Sequence, residues 1–418
     1  MSEPCLQLET VPNTSAPKPA ASVTPAPGTT VLQQRFTLDY QFPVVFTRAM
    51  FDPGNTALLD VLLAAEPHKR HRVLMFVDAG VSQSMDDMER TITQWFEAHA
   101  AQLDLVAAPI VTTGGEAIKG DWMALEPMRA AIRDHAIDRH SYVIAVGGGA
   151  LLDAVGLVAA TAHRGIRHVR VPTTVLSQND SGVGVKNGIN QYGQKNYLGT
   201  FAPPWGVIND SAFLDALGTR DRRAGMAEAV KVALIRDTDF FVWLEQQAEA
   251  LAAFDRSAVE YLVQRCAELH MHQIAKGGDP FELGSARPLD FGHWAAHRLE
   301  ALTDHRLRHG EAVAIGMLLD TRYSVLAGLL EAGSDERVAQ LLEALGFTLW
   351  DASLDQVDTL GQLELMAGLD HFRTHLGGQL TITLLKRVGE GLEVHDMNTP
   401  LVIEAIAWLR TRAETGTC

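Results

Sequence analysis

The segment 142–162 constrains the fold more than any other part of the chain. It is the most apolar window of the sequence, yet it contains three successive glycines and Asp153 and lacks the flanks of a stop-transfer segment. The run YVIAV leads directly into GGG and then into ALLDAVGLVAA. This order is typical of a buried strand, a tight turn and a helix, and it argues against a transmembrane span.

Short apolar runs alternate with helical patterns through the first half of the chain. Strands are predicted at 36–48, 72–78, 103–111, 142–146 and 168–172, and helices at 84–101 and 122–135. Apolar strands separated by helices are typical of a parallel sheet that is covered on both faces. We therefore predict an α/β domain built on a doubly wound, Rossmann-like parallel sheet.

The pattern becomes mostly helical after about residue 210. Helices are predicted at 224–236, 238–252, 256–276, 291–303, 309–331 and 335–346, followed by a hairpin at 379–397 that turns near Gly389. Residues 1–33 are rich in Pro, Ser, Thr and Ala, so we expect a disordered tail there. The α/β domain is then expected at 34–209 and an all-α-rich domain at 210–418.

The charge balance narrows the classes of partner. The 418 residues include 51 acidic and 35 basic side chains, a formal net charge of −16. Such a charge disfavours nucleic acid and anionic membranes as partners. The three cysteines form no C-x-x-C pair, and the N-terminus has no secretory signal pattern. We therefore expect a protein of the reducing cytoplasm.

The glycine turn at 147–149 is the first candidate binding site. Glycines between a strand and a helix let the backbone approach a pyrophosphate, and the helix N-terminus then attracts its charge. The spacing is not G-x-G-x-x-G, so a tight structural turn is the alternative. Asp78, at the end of the strand 72–78, is suited either to a ribose hydroxyl or to a helix N-cap.

The second candidate is the polar, glycine-rich run 172–201. It carries Asp180, Lys186, Lys195 and Asn196. Long polar loops in compact domains are usually functional, and two lysines with an amide are suited to binding a phosphate. A solvated surface loop with unrelated lysines is the alternative.

The third candidate joins residues from three helical segments. Glu228 and Lys231 are three apart in an apolar helix, which also suits a buried structural ion pair. His293 and His297 are four apart on one helix, and His309 opens the next. Two histidines together with Glu228 would leave one position of a catalytic zinc site open. Single histidines are more often packed or surface residues, so the number within this short segment favours the metal site.

Several motifs in series resemble the dehydroquinate synthase superfamily, the sugar phosphate cyclases. They are GGGALLDAVGLVAATAHRGI, VPTTVLSQNDSGVGVKNGIN, GQKNYLGTF, GMAEAVKVALI and GHWAAHRLE followed by HGEAVAIGM. The resemblance covers residues 40 to 390 approximately. It implies a bound NAD, a divalent metal such as zinc or cobalt, a homodimer, and cyclisation of a seven-carbon sugar phosphate with loss of phosphate.

The resemblance also implies roles for individual residues of the cofactor sites. Metal ligation falls on Glu228, His293 and His309. Contacts with NAD fall on Asp78, Glu116, Lys119, Gly148, Gly149, Asp153, Thr173, Thr174 and Leu176. Glu116 and Lys119 lie in GGEAIKG, which resembles the second nucleotide loop of the family.

A further set of residues falls on the substrate site of the family. It comprises Asp180, Lys186, Lys195, Asn196, Lys231 and His297, with Arg164 at a phosphate-binding position. Among these, Lys186, Lys195 and His297 are expected to handle protons or stabilise an oxyanion, and Lys231 and Asp180 to assist them.

The chain departs from dehydroquinate synthases at residues that would face a substrate carboxylate. His270 or His272 replaces a lysine, depending on a two-residue gap, and HFR at 371–373 replaces another. Arg287 is one place off the family arginine, and Asp290 replaces an asparagine. We expect these positions to bind substrate with fewer cations than dehydroquinate synthases offer.

Three segments look more like cyclases acting on sedoheptulose 7-phosphate: DFGH, the KNxLGT run and FTRAMFDPGN. Those enzymes typically lack the second histidine of the helix, whereas His297 is present here. The chain therefore resembles a divergent branch whose substrate is either sedoheptulose 7-phosphate or 3-deoxy-arabino-heptulosonate 7-phosphate. Because the positions that would face a carboxylate are altered, we expect sedoheptulose 7-phosphate or a similar neutral-ended sugar.

Two other classes of protein remain open. A metal-dependent polyol or alcohol dehydrogenase would share this architecture, but its metal site usually has an Asp followed four residues later by His. Here Val232 stands four residues after Glu228. A non-catalytic relative that acts as a binding protein is the other alternative, because several substrate positions are altered.

Overall fold

The computed structural model describes residues 28, 30–32, 34, 36–192, 194–277, 281, 288–375 and 380–415. Most of the tail expected at 1–33 lies outside these residues, and so does Arg287.

The first half of the chain forms the predicted parallel sheet. Its strands are β1 (Val44–Thr47), β2 (His71–Asp78), β3 (Leu103–Leu105), β4 (Ile110–Thr112), β5 (Tyr142–Gly147), β6 (Arg167–Pro172) and β9 (Gly206–Asp210). Their order is β1-β9-β6-β5-β2-β3, and all pairs are parallel. Strand β4 also pairs in parallel with β2, farther along that strand than β3 does. The carboxyl ends of these strands therefore meet at one edge, where open α/β sheets bind ligands.

Helices cover both faces of this sheet. They are α1 (Ala57–Leu63), α2 (Ala79–Ser84), α3 (Met88–Ala98), α4 (Glu126–Asp134) and α5 (Gly149–Thr161). Successive residues of β2 point to opposite faces: Met75 packs with Trp95 of α3, and Phe76 packs in the cluster that contains Leu152 of α5. The doubly wound fold is thus confirmed by two separate apolar layers.

The second half is helical around a single large core. Its helices are α6 (Ala212–Asp215), α7 (Thr219–Ala224), α8 (Met226–Arg236), α9 (Thr238–Gln246), α10 (Ala248–Ala252), α11 (Arg256–Lys276), α12 (His293–Leu302), α13 (His309–Leu326), α14 (Ser334–Ala344), α15 (Ala367–His375) and α16 (Thr399–Thr415). The predicted hairpin is present as β10 (Ile382–Arg387) and β11 (Glu390–Val394), and Gly389 turns with φ +85°. The predicted boundary at 209/210 falls at the end of β9 and stays a prediction.

Several predicted elements differ from the structure. The strand expected at 36–48 is confined to β1, and the helix expected at 238–252 is divided into α9 and α10. The helix expected at 84–101 is shorter, since α3 begins at Met88 after Asp87, whose φ is +54°, and ends at Ala98, and the separate short helix α2 precedes it. The strand expected at 103–111 is divided into β3 and β4. The run expected to be a loop at 172–201 forms a π-helical turn and a hairpin, β7 (Lys186–Gln191) with β8 (Gln194–Phe201). Backbone hydrogen bonds make this hairpin without the apolar alternation that predicts a strand.

None of the described helices is both long enough and apolar enough to cross a lipid bilayer.

Candidate active site

Three ligand-type side chains converge where α8, α12 and α13 meet. Glu228 lies in the first turn of α8, and His293 and His309 are the first residues of α12 and α13. Oε1 of Glu228 is 3.7 Å from Nε2 of His293 and 3.6 Å from Nε2 of His309. These separations are too long for hydrogen bonds but suit three ligands around one cation.

The carboxylate of Glu228 supports this fit. Glu228 is fully buried, and none of the described residues donates a hydrogen bond to its Oε1. A buried carboxylate oxygen without a donor is costly unless a cation or a ligand satisfies it. The donor set of one carboxylate and two imidazoles is typical of catalytic zinc.

Lys231 balances the charge next to this cluster. Its ammonium pairs with Oε2 of Glu228, so the ion pair that the spacing suggested is present beside the ligand cluster. Burial alone would raise the pKa of Glu228, but the charge of Lys231 lowers it to about 2. Burial would lower the pKa of Lys231, and the carboxylates of Glu228 and Asp180 raise it instead.

His297 lies beside the cluster without contacting Glu228. Its ring centroid is 5.4 Å from that of His293 and 6.0 Å from that of His309. Its side chain is solvent-accessible, while the surrounding protein and the neighbouring imidazoles lower its pKa to about 3. His297 is therefore a neutral imidazole at physiological pH, and one of its ring nitrogens can accept a hydrogen bond.

Glu300, which sequence reasoning missed, contacts His309 from the other side. Its Oε2 lies 3.2 Å from Nδ1 of His309, and its Oε1 accepts a hydrogen bond of 2.9 Å from Lys195. Glu300 is seven residues after His293, two turns along the same face of α12, and this spacing was the available signal. With His297 and His309 it forms a second group of ligand-type atoms.

Two of the predicted substrate positions, Asp180 and Asp290, lie near Lys231. Asp180 lies in the π-helical turn Ser177–Ser181, and its Oδ1 is 2.8 Å from Nδ1 of His270 on α11. His272 is exposed, so the structure places His270 rather than His272 beside the site. Burial would raise the pKa of Asp180, but His270 and Lys231 lower it well below its usual range.

Asp290 adds a second carboxylate to these positions. It lies three residues before His293, in the short turn Pro288–Asp290. Burial would raise its pKa, whereas the nearby charges of His293 and Lys186 lower it. The site therefore contains two ionised carboxylates, those of Asp180 and Asp290.

The glycine turn lies at the carboxyl edge of the sheet. Gly148 is the N-cap of α5, and no side chain caps the first turn of the helix. A Cβ atom on Gly149 would lie 2.5 Å from Oγ of Ser181, so only glycine leaves the backbone accessible there. Thr173 N donates to Gly147 O at 3.0 Å and fixes the neighbouring strand. The backbone N–H groups in the first turn of α5, which no side chain caps, fit a pyrophosphate.

Comparison with known proteins agrees with this geometry. Models of the N-terminal and C-terminal regions of 3-dehydroquinate synthase match residues 109–224 and 225–368. The chain belongs to the 3-dehydroquinate synthase family.

Two relatives of this family member illustrate the range of activities. A 3-dehydroquinate synthase from Halorhodospira halophila (strain DSM 244 / SL1) is 37% identical over 268 residues, 64% of this chain and 73% of that protein. A 2-epi-5-epi-valiolone synthase from Streptomyces glaucescens is 34% identical over 312 residues, 74% of this chain and 77% of that protein. Both are similar to this chain at comparable levels, so identity alone does not choose between them.

The solved structures show the same fold with cofactors. A 2-epi-5-epi-valiolone synthase from Streptomyces hygroscopicus subsp. jinggangensis 5008, with NAD⁺ and Zn²⁺ bound, has a TM-score of 0.79 and 27% identity. The match covers 91% of this chain and all of the Streptomyces hygroscopicus chain. A 2-deoxy-scyllo-inosose synthase at 22% identity and a TM-score of 0.68 shares the fold.

Asp78 of this family member has the role of a helix cap. Its Oδ1 accepts a hydrogen bond of 2.7 Å from Gly80 N at the start of α2. A Cβ atom on Gly114 would lie 1.9 Å from Oδ2, so the second nucleotide loop passes directly over the carboxylate. The capping alternative is therefore observed, and a contact with ribose stays a prediction.

The loop that carries Glu116 and Lys119 is tied to the β7–β8 hairpin. Lys119 is buried and donates to Asp153 at 2.8 Å and to Oδ1 of Asn196 at 2.5 Å. Glu116 accepts from Asn190 of β7 at 2.7 Å. In this arrangement both loop residues connect the nucleotide side of the site to the hairpin.

Thr174 and Leu176 lie at the start of the segment that follows β6. Thr174 Oγ1 donates to Ser177 Oγ at 2.8 Å, and a Cβ atom on Gly225 would lie 2.3 Å from Leu176 N. The backbone after β6 therefore packs directly against the start of α8. The contacts of Thr174 and Leu176 with NAD stay predictions.

Arg170, also missed from the sequence, holds the substrate segment in place. It is fully buried on β6 and donates to the carbonyl oxygens of Gly182, Gly184 and Lys186. Its Nη2 also donates to Oδ1 of Asn187 at 2.7 Å. The signal was an arginine inside the apolar strand HVRVP, since a buried arginine needs several acceptors.

Arg164 is not brought to these residues within one chain. It is exposed and lies beyond the carboxyl end of α5, whereas the glycine turn is at the other end of that helix. The fifteen residue steps from Gly149 to Arg164 span roughly 20 Å at the rise of a helix, so Arg164 lies far from the glycine turn. Its assignment to a phosphate is a prediction that this single chain does not support.

Proposed function

We propose that this chain is an NAD- and metal-dependent sugar phosphate cyclase that acts on a heptulose 7-phosphate with a neutral end, such as sedoheptulose 7-phosphate. The observation that carries the choice of substrate is the pairing of Asp180 with His270, 2.8 Å apart, in a site that also contains the ionised Asp290. A homodimer, which the resemblance implies, belongs to the same proposal.

The residues present fit both cofactors. Glu228, His293 and His309 would hold the divalent metal, and the N-terminus of α5 would hold the pyrophosphate of NAD. When bound, NAD would supply reversible hydride transfer and the metal would polarise the oxygen of the reacting carbinol.

The side chains of the hairpin and of α8 supply the positive charge for a phosphate. Lys186 and Lys195 lie on the two strands of the hairpin, and Lys231 is buried beside Glu228. Together they place three cations in a chain whose net charge is −16. We propose that they bind the phosphate and stabilise it as it leaves.

His297 is proposed to move the proton. Its ring is exposed beside the ligand cluster, so a ring nitrogen can contact the substrate and exchange a proton with it. Since it lies one turn after His293, it faces the same space as the metal ligands without ligating.

The charges around the site discriminate between the two substrates. 3-Deoxy-arabino-heptulosonate 7-phosphate carries a carboxylate next to its anomeric carbon, whereas sedoheptulose 7-phosphate carries a hydroxymethyl group there. A buried carboxylate needs charge-assisted hydrogen bonds, each worth roughly 1.5–3 kcal/mol. Here Asp180 already engages His270, and Asp290 would repel the substrate carboxylate. The neutral-ended sugar is therefore favoured.

The test is a direct comparison of the two sugar phosphates. The protein, supplied with NAD and Zn²⁺ or Co²⁺, is incubated with each, and the products are identified by NMR together with released phosphate. We expect phosphate release and a carbocycle from sedoheptulose 7-phosphate, with no accumulation of NADH. Steady NADH accumulation on a simple polyol would instead identify a dehydrogenase, and absence of bound NAD and metal a binding protein.

A further inference from the structure

Glu300 contacts two parts of the site that belong to different halves of the fold. It is 4% exposed on α12, in the helical half. One of its oxygens faces His309 of α13, and the other faces Lys195 of the β7–β8 hairpin. We propose that Glu300 is a positioning residue that fixes the metal-binding tautomer of His309 and couples it to the hairpin lysine.

The contact with His309 determines where its proton lies. A carboxylate only accepts hydrogen bonds, so Nδ1 of His309, 3.2 Å from Oε2 of Glu300, carries the proton. In the neutral, metal-binding form of His309 the lone pair is then on Nε2, which lies 3.6 Å from Oε1 of Glu228. A carboxylate behind a ligating histidine orients the ring and increases its basicity.

The contact with Lys195 comes from the opposite direction. Lys195 Nζ donates to Oε1 of Glu300 at 2.9 Å, and the lysine side chain is 38% exposed on β8. The next residue, Asn196, faces the other side of the strand and accepts from Lys119. Lys195 thus joins this strand to Glu300 of the helical half.

Direct ligation by Glu300 is the competing interpretation, because its atoms also cluster with His297 and His309. Both Glu300 oxygens already face donors, one on His309 and one on Lys195. Oε1 of Glu228 has no such donor. A cation would therefore displace an ammonium at Glu300, whereas it would satisfy an unpaired atom at Glu228.

The substitution Glu300→Gln tests the tautomer argument. The amide has one acceptor and one donor end, and Lys195 attracts the acceptor oxygen, so the NH₂ group turns towards His309. This favours a proton on Nε2, the wrong nitrogen for binding the metal. We expect the apparent Kd for Zn²⁺, measured with a competing chelator, to rise 10- to 100-fold. The visible absorption spectrum of the Co²⁺-loaded protein should change as well.

The double variant Glu300→Gln, Lys195→Met separates positioning from a general loss of structure. Without the ammonium, the amide is free to turn its oxygen to His309, so metal affinity should recover by at least several-fold relative to Glu300→Gln. Lys195→Met alone should leave the Kd for Zn²⁺ within about threefold of wild type. Arg298→Met, which breaks the α12 ion pair with Glu364 on another face, is the matched control.

This inference rests on the proposed metal site, and the outcomes keep the two apart. Failure of the wild type to bind Zn²⁺ or Co²⁺ would overturn the proposed function. Wild-type binding with an unchanged Kd and cobalt spectrum in Glu300→Gln would overturn the role of Glu300 alone. Metal loss as complete as in His309→Ala, with no recovery in the double variant, would identify Glu300 as a ligand. If Glu300→Gln does not fold, Glu300→Asp keeps the charge on a shorter side chain and is judged by the same Kd and spectrum.

Discussion

Gly316 lies against the carbonyl oxygen of Gly292, so closely that a Cβ atom on Gly316 would be 2.2 Å from that oxygen. Gly292 is the N-cap of α12, with φ +76°, and its carbonyl accepts from Ala296 N in the first turn. The pair lets the start of α12, which carries His293, approach α13 two turns after His309. The separation of His293 and His309 therefore depends on the absence of two side-chain atoms.

Gly316→Ala should weaken metal binding without abolishing the fold. The added methyl group overpacks the helix contact, which costs about 1–3 kcal/mol, and it moves His293 relative to His309. We expect the Kd for Zn²⁺ to rise at least tenfold. Gly218→Ala, where a Cβ atom meets nothing within 4 Å, is the control and should bind like wild type. Equal affinity in both variants would contradict the argument.

Single substitutions of the three proposed ligands form the second prediction. Glu228→Ala, His293→Ala and His309→Ala should each remove most bound metal and nearly all turnover, because two remaining ligands hold a divalent ion weakly. His297→Ala should keep the metal and lose rate. Metal content by elemental mass spectrometry and phosphate release are the two measurements. Metal retained in His309→Ala but lost in His297→Ala would refute the assignment.

Much of this site was accessible from the sequence, because histidines at short spacing on adjacent helices are unusual. Glu300 was not, since a glutamate in an amphipathic helix is ordinarily a surface residue. The choice between His270 and His272 depended on a gap in the motif, and only the contact with Asp180 decides it. Arg170 is marked by its place in an apolar strand, but the backbone carbonyls that it contacts leave no pattern in the sequence.

The fold was predictable where burial produces a pattern. The five central apolar runs became strands or pairs of strands because parallel strands covered on both faces need continuous apolar residues. The β7–β8 hairpin was missed because β8 is mostly exposed and polar, and its strands are joined through backbone hydrogen bonds. The break near Asp87 depends on one residue with positive φ, which helical periodicity does not reveal.

Asp320 provides a prediction about pH and stability. Its carboxylate accepts from Gly292 N at 3.1 Å and from Nε1 of Trp294 at 2.9 Å. Burial raises its pKa from 3.8 to about 7 in spite of these hydrogen bonds. The folded state therefore binds a proton that the unfolded state has lost between about pH 4 and pH 7. The contribution of Asp320 to the unfolding free energy is largest below that window and decreases as pH rises through it, by about 1.4 kcal/mol per pH unit.

Asp320→Asn should remove this dependence. Between pH 5 and pH 7 the difference in unfolding free energy between the variant and wild type should shift by roughly 2–3 kcal/mol in favour of the variant. Urea unfolding followed by tryptophan fluorescence at the two pH values measures the shift, and other titrating groups cancel in the difference. Parallel behaviour of the two proteins would show that Asp320 is ionised throughout.

The last prediction concerns substrate choice. Asp290→Asn together with His270→Lys should move preference towards 3-deoxy-arabino-heptulosonate 7-phosphate. The first change removes an anion that would face the substrate carboxylate, and the second introduces a permanent cation beside Asp180. One charge-assisted hydrogen bond is worth roughly 1.5–3 kcal/mol, so kcat/KM for the carboxylated sugar should improve about 10- to 100-fold relative to sedoheptulose 7-phosphate. Asp290→Asn alone should give part of the change. If the wild type already prefers the carboxylated sugar, then Asp180 and Asp290 do not set the preference, because two ionised carboxylates would not select a third.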